Sequence, residues 1–299
     1  MLEFAIAALR FAQFLSAAVL FGAPALLLYA VGANNADWRW PKPLLIACGL
    51  ILAAATIGGF FAQTINMSGS LDNALSPDTL GYVLFSTDFG RSAGVRAVLA
   101  VIGVVVIVIV GLAVAGPGRL VCAIGAVTLA SLAWSGHGAG DGAIHLFADL
   151  IHLLAAGAWI GALAALTSML TTASSAERLE SLHAALRRFS GAGTAAVLLI
   201  LATGLVNSLF LVGLDRWRML FTTLYGGLLL AKVALFIAML ALAAGNRFRL
   251  TPRLGLTLDA DGSADLGMLR ASVIAETALA VLVLAIVGVL GVLTPIIAQ

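Results

Sequence analysis

Charge is what this 299-residue chain lacks: only 10% of its residues are Asp, Glu, Lys or Arg, while 62% are hydrophobic. Soluble domains carry roughly 25% charged residues. The polar side chains needed to cover a globule of this size are missing, which excludes an ordinary soluble enzyme. The same hydrophobicity excludes a disordered chain. Cysteine is scarce, and Cys48 and Cys122 both lie inside apolar runs. No disulfide framework is available, and each reads as a small buried hydrophobe. An excess of basic residues is also missing, with 16 Lys and Arg against 14 Asp and Glu. Without a basic stripe, a nucleic-acid partner is excluded. No Walker A sequence occurs, so ATP does not drive whatever the chain does.

What the chain has is long apolar runs. A spanning helix needs about 20 mainly apolar residues. Eight stretches qualify, at approximately 4–32, 43–66, 92–115, 119–136, 143–172, 189–213, 221–244 and 270–297. No series of alternating ten-residue segments is present, so a β-barrel is excluded. The expected fold is all-α: a polytopic membrane bundle of about eight transmembrane helices in contact with lipid, forming one integral-membrane domain over residues 1–299. The first span opens with Glu3 and not with a basic segment, and it is too long for a signal core.

The positive-inside rule gives an orientation. Loops after the odd-numbered spans hold Arg39, Lys42, Arg119, Arg178, Arg187, Arg188, Arg247, Arg249, Arg253 and Arg270, whereas those after the even-numbered spans hold Arg91, Arg96, Arg216 and Arg218. The first set is expected in the cytoplasm, which places both termini outside. On the outer side, Ser76 followed by Pro77 predicts a capped surface helix over Asp78–Phe85. On the inner side, residues 176–188 read as an amphipathic helix and 245–269 as a basic loop.

Polar groups at membrane depth are costly unless satisfied, so they mark where function sits. In the fifth span His145, Asp149 and His152 are spaced by four and three residues and share one helix face. The stripe starts at the outer surface and extends about 13 Å inward at His152, with Trp159 two turns further on the same face. His137 precedes it on the outer loop, so three of the four histidines fall within sixteen positions. Imidazole is the commonest protein ligand for transition metals, and a neighbouring carboxylate fixes its tautomer. Met67, at the outer end of the second span, adds a thioether suited to Cu(I). The expected metal ligands are therefore His137, His145, His152, Met67 and Asp149. Each also has a bland alternative as a helix–helix hydrogen-bonding or packing residue. His183 reads as a solvated surface residue. Lys232 and Glu276, within the seventh and eighth spans, need partners. An ion pair between them is one solution, and snorkelling of Lys232 is another. Arg10 could meet acidic groups of the outer surface.

With these residues in view the chain resembles the CopD/PcoD family of copper-resistance inner-membrane proteins. Four blocks carry the resemblance in order. They are Met67-Ser68-Gly69 with Thr87-Asp88-Phe89-Gly90-Arg91 and Arg96; Trp134-Ser135-Gly136-His137 with His145, Asp149, His152 and Trp159-Ile160-Gly161; Thr223-Leu224-Tyr225-Gly226 with Lys232 and Asn246-Arg247-Phe248; and Ala275-Glu276 with the closing Thr294-Pro295. The resemblance implies copper as bound or transported substrate, a multi-pass protein of the bacterial inner membrane with periplasmic termini, and a periplasmic CopC-like copper-binding partner. No CopC-like domain is expected within the chain. It also implies that Gln13 stands near a position where family members carry a histidine, so the site would be completed differently here. The expected function is copper transport, periplasm to cytoplasm, without catalysis. A haem-binding electron carrier and a scaffold for a copper chaperone are the alternatives.

Overall fold

Helix α1 (Leu2–Leu26) is the axis around which the other spans assemble, packing on α2 (Pro41–Ser68), α6 (Ala115–Trp134), α7 (Ala143–Thr172) and α11 (Ser263–Leu290). The computed structural model describes residues 1–32, 41–110, 115–135, 142–172, 176–257 and 263–299. Among these residues every regular element is helical, and eight helices are long and apolar enough to cross a membrane. Span one is the most buried and span seven the least.

Small residues let α1 lie so close to its neighbours. Between helices in lipid, association rests on close packing, not on expulsion of water. A side chain at Gly161 of α7 would collide with the Ala18 carbonyl and the Gly22 Cα of α1, and one at Gly22 with the Gly157 carbonyl. Gly161→Leu is therefore expected to force the helices apart. Overpacking of this kind costs about 1–3 kcal/mol, read as a lower unfolding temperature of the detergent-purified protein. A wild-type transition would show that this seam does not hold the bundle.

Helix starts follow their caps. Ser76 caps α4 (Pro77–Ser86) by accepting from the Thr79 amide, with Pro77 at the first turn, as expected for the surface helix. A shorter helix, α3 (Leu71–Ala74), precedes it, capped by Ser70. Thr87 caps α5 (Asp88–Val105), which begins four residues before the expected third span. Thr223 caps α9 (Leu224–Gly245), so the seventh span starts later than expected, after a tight turn over Trp217–Phe221.

Two segments expected on the inner side differ in structure from expectation. The amphipathic stretch and the sixth span form one helix, α8 (Ala176–Val212). Leu182, Ala185 and Leu186 are buried in the main core on the same helix as Ile200, and this packing carries the helix through Gly191 and Gly193, which alone disfavour it by about 1 kcal/mol each. Past Gly245 the chain stays helical through a widened turn over Asn246–Leu250 into α10 (Thr251–Thr257). The first half of the expected basic loop is thus helical, because Asn246 and Thr251 are buried and their backbone groups need internal partners.

Candidate functional site

Three of the expected ligands line one cavity of about 190 Å³, bordered by α1, α6, α7, α8, α9 and α11: His145, Asp149 and His152. His145 is 2% exposed and its ring stacks on Phe210, centroids 4.6 Å apart and planes 7° from parallel. Asp149 Oδ1 accepts from Asn207 Nδ2 at 3.3 Å, and its charge lies within electrostatic reach of His145, Lys232 and Arg10.

Thr203 orients the His152 ring: its Oγ1 lies 3.0 Å from Nδ1 and also reaches the Leu199 carbonyl one turn back. With the hydroxyl proton on that carbonyl, Nδ1 donates to the hydroxyl oxygen and the Nε2 lone pair is left for a ligand; with the proton toward Nδ1 the two ring nitrogens exchange roles. Gly204 packs beside the ring, where an added Cβ would come into van der Waals contact with His152 Cε1 at 3.4 Å. Thr203→Val removes the hydroxyl while keeping the shape. It is expected to weaken copper binding about 10–100-fold, as loss of an outer partner of a ligating imidazole does, measured by competition with a chelator of known affinity. Unchanged affinity would detach Thr203 from the site.

Met67 is not brought to the histidines. It is exposed at the end of α2 and lines a second cavity of about 350 Å³, together with Glu3, Gln13, Gln63 and Arg96. Arg10, Leu132 and Gly291 line both cavities and form their common wall. His137 lies outside the described residues. Among those described, no three His, Cys, Asp or Glu side chains close around a point.

Gln13 faces the Met67 cavity and is committed to structure. Its Oε1 accepts from Arg96 Nη1 at 2.7 Å and its Nε2 donates to the Ala55 carbonyl at 2.9 Å. Arg96, 2% exposed, also donates to Ser131 Oγ, the Ser131 carbonyl and Ser135 Oγ. This guanidinium ties α5 to α1 and α6.

Lys232 and Glu276 do not pair. Glu276, also 2% exposed, accepts from Trp159 Nε1 at 3.1 Å and from Asn246 Nδ2 at 3.0 Å. Lys232 instead lines the histidine cavity with Asp149. The two charges are held apart: Glu276 is bonded to Trp159 and Asn246, while Lys232 faces the cavity that Asp149 also lines. Trp159 and Leu163 line a further cavity of about 220 Å³ toward the Arg247 end, just beyond Ala156 and Ile160 at the base of the histidine cavity. His183 is half-buried and lines another pocket at that end with Arg187 and Arg247. The described histidines therefore offer no pair facing across two helices at one level, which is what bis-imidazole haem ligation needs. Cys48 is buried and Cys122 half-buried, both free, as expected.

Thr203 and Asn207 escaped the sequence reading, although their four-residue spacing on one apolar helix mirrors that of His145 and Asp149 and was a usable signal.

Fold and site together define a multi-pass helical membrane protein with an imidazole–carboxylate cavity beside a methionine-bearing vestibule. The chain belongs to the copper resistance protein D family. Residues 1–146 match the family description "Copper resistance protein D-like, N-terminal domain", and residues 183–290 match "Copper resistance protein D". Copper resistance protein D of Pseudomonas syringae pv. tomato is 35% identical over 300 residues, covering 96% of each chain. Inner membrane protein YebZ of Escherichia coli (strain K12) is 34% identical over 152 residues, 51% of this chain and 50% of its own. Copper transport protein CutJ of Bacillus subtilis (strain 168) is 35% identical over 119 residues, 39% of this chain and 21% of its own. No solved structure matches.

Proposed function

We propose that the protein carries copper across the bacterial inner membrane from periplasm to cytoplasm, acting as a single unit over residues 1–299. The observation that carries this reading is the convergence of His145, Asp149 and His152 on one cavity that adjoins the vestibule lined by Met67. A thioether and imidazoles favour copper over magnesium or calcium. Met67, with His137, receives the ion at the periplasmic face, where a CopC-like protein would deliver it. His152 offers Nε2, His145 the second imidazole, and Asp149 the compensating negative charge.

The open arrangement of donors suits passage. A transported ion must be bound well enough to enter and loosely enough to leave, whereas a closed tetrahedral cage serves a structural metal. Below the cavity, the Trp159–Glu276–Asn246 layer joins α7, α11 and the widened turn after α9 and separates it from the next cavity. This layer is the barrier the ion must pass. The relative named as a copper transport protein supports the direction of the argument toward transport.

The test is uptake of isotopic copper into proteoliposomes containing only this protein. Time-dependent accumulation inside, abolished by Asp149→Ala, is expected. Copper that binds at saturation without entering the lumen would make the protein a membrane scaffold for a copper-carrying partner.

A further inference from the structure

The charges around the histidine cavity are the wrong sign for a bare cation. Arg10 and Lys232 both line it, against the single carboxylate of Asp149. Among the described residues, neither cation is within 4.0 Å of an acidic group, the one ion pair found being Arg91 with Asp88. A guanidinium has five N–H donors, yet Arg10 makes no hydrogen bond to any described residue, and its Nε is buried without a partner. The Phe14 ring centroid lies 5.9 Å from its Cζ. Gly291 is shaped to admit it, since a Cβ there would lie 2.5 Å from Arg10 Nε. Arg96, the neighbouring arginine on the vestibule side, by contrast donates four hydrogen bonds to neutral acceptors.

Buried polar groups in folded proteins are almost always satisfied, and an unpaired charge at membrane depth is the costliest exception. Here two cations share one cavity with a single carboxylate, and neither makes a hydrogen bond to a described residue. Adding Cu(I) would raise the fixed charge of the cavity from +1 to +2. We propose that this cavity binds a small monovalent anion, a halide, held by Arg10 and Lys232, so that copper enters beside a negative partner and not alone. The walls favour such an ion over a phosphate: Phe14, Leu153 and Leu229 are apolar, and a volume of about 190 Å³ holds a few water-sized species. A soft halide is also a natural co-ligand for a soft cation. Arg10 lines the vestibule as well, which gives the anion its route in.

The anion site stands on the geometry alone; its role beside copper rests on the transport reading. The experiment uses full-length protein purified in gluconate buffer, with bromide as probe and no copper. Saturable bromide binding is expected, with an anomalous bromine peak between the Arg10 guanidinium and the Lys232 ammonium in crystals. Arg10→Gln and Lys232→Met should each weaken bromide binding at least about tenfold, while Arg91→Gln at the exposed surface pair leaves it unchanged. The wild-type peak decides the matter even if a variant fails to fold. No saturable binding, or a peak elsewhere only, overturns the proposal. In parallel, copper affinity should be higher in chloride than in gluconate. Bromide bound with no copper binding would sink the transport reading and leave the anion site standing, whereas copper bound equally in both buffers and no bromide peak would do the reverse.

Discussion

Cells expressing the His145→Ala/His152→Ala variant are expected to accumulate copper at the level of cells without the protein, a loss of about tenfold or more by analogy with removal of ligating groups. The substitution is expected to keep α7 helical. Alanine is the best helix former, both positions lie inside the long α7 helix, and the cavity they line already exists as space. What disappears is both imidazoles, the nitrogen donors of the cavity. Single variants should lose less, and His152→Ala more than His145→Ala, because Thr203 orients the His152 ring through Nδ1 whereas the His145 ring is stacked against Phe210. Isotopic copper content per cell, normalised to the amount of protein in the membrane, is the measurement. Unchanged accumulation in the double variant would remove the histidines from the path.

The largest effect on stability is expected from Arg96→Ala. The guanidinium is buried and is surrounded by acceptors on two other helices: Gln13 of α1, and Ser131 together with Ser135 of α6 or its end. Removing it strands a buried amide oxygen and a carbonyl and opens a void at the junction of α1, α5 and α6. Recovery of the charge's own desolvation cost offsets part of the loss. A net destabilisation of about 3 kcal/mol is expected, the range seen when one member of a buried charged network is deleted. Arg96→Lys should rescue little, because a compact ammonium cannot reach the four acceptors that a planar fork spans. Thermal unfolding of the purified protein checks both variants. Wild-type stability of Arg96→Lys would show that the charge, and not the fork, is what matters there.

The spacing of His145, Asp149 and His152 was enough to place them together, because 4 and 3 residues on a helix settle a face before any packing is known. Eight spans were equally legible from apolar length. Arg96 was not, since on hydropathy it sits at the edge of a span and counts as a loop charge. Its burial depends on Gln13 and Ser131, which lie 83 and 35 residues away in sequence. The partners of Lys232 and Glu276 were equally hidden: two opposite charges in adjacent spans invite pairing, but their levels along the bundle are set by how α9 and α11 pack. Met67 and the histidines share an end of the bundle, yet Arg10 stands between their cavities, a consequence of α1 occupying the centre. Periodicity reports the face of a single helix; it carries no information on which faces meet.

The reading of the site as a copper path rests on whether copper occupies the cavity of α7. Diffraction from copper-soaked crystals at the copper absorption edge locates the ion directly. The account predicts an anomalous peak at bonding distance from His152 Nε2, within the cavity shared with His145 and Asp149. A peak confined to other surfaces, or none at saturating copper, would contradict it.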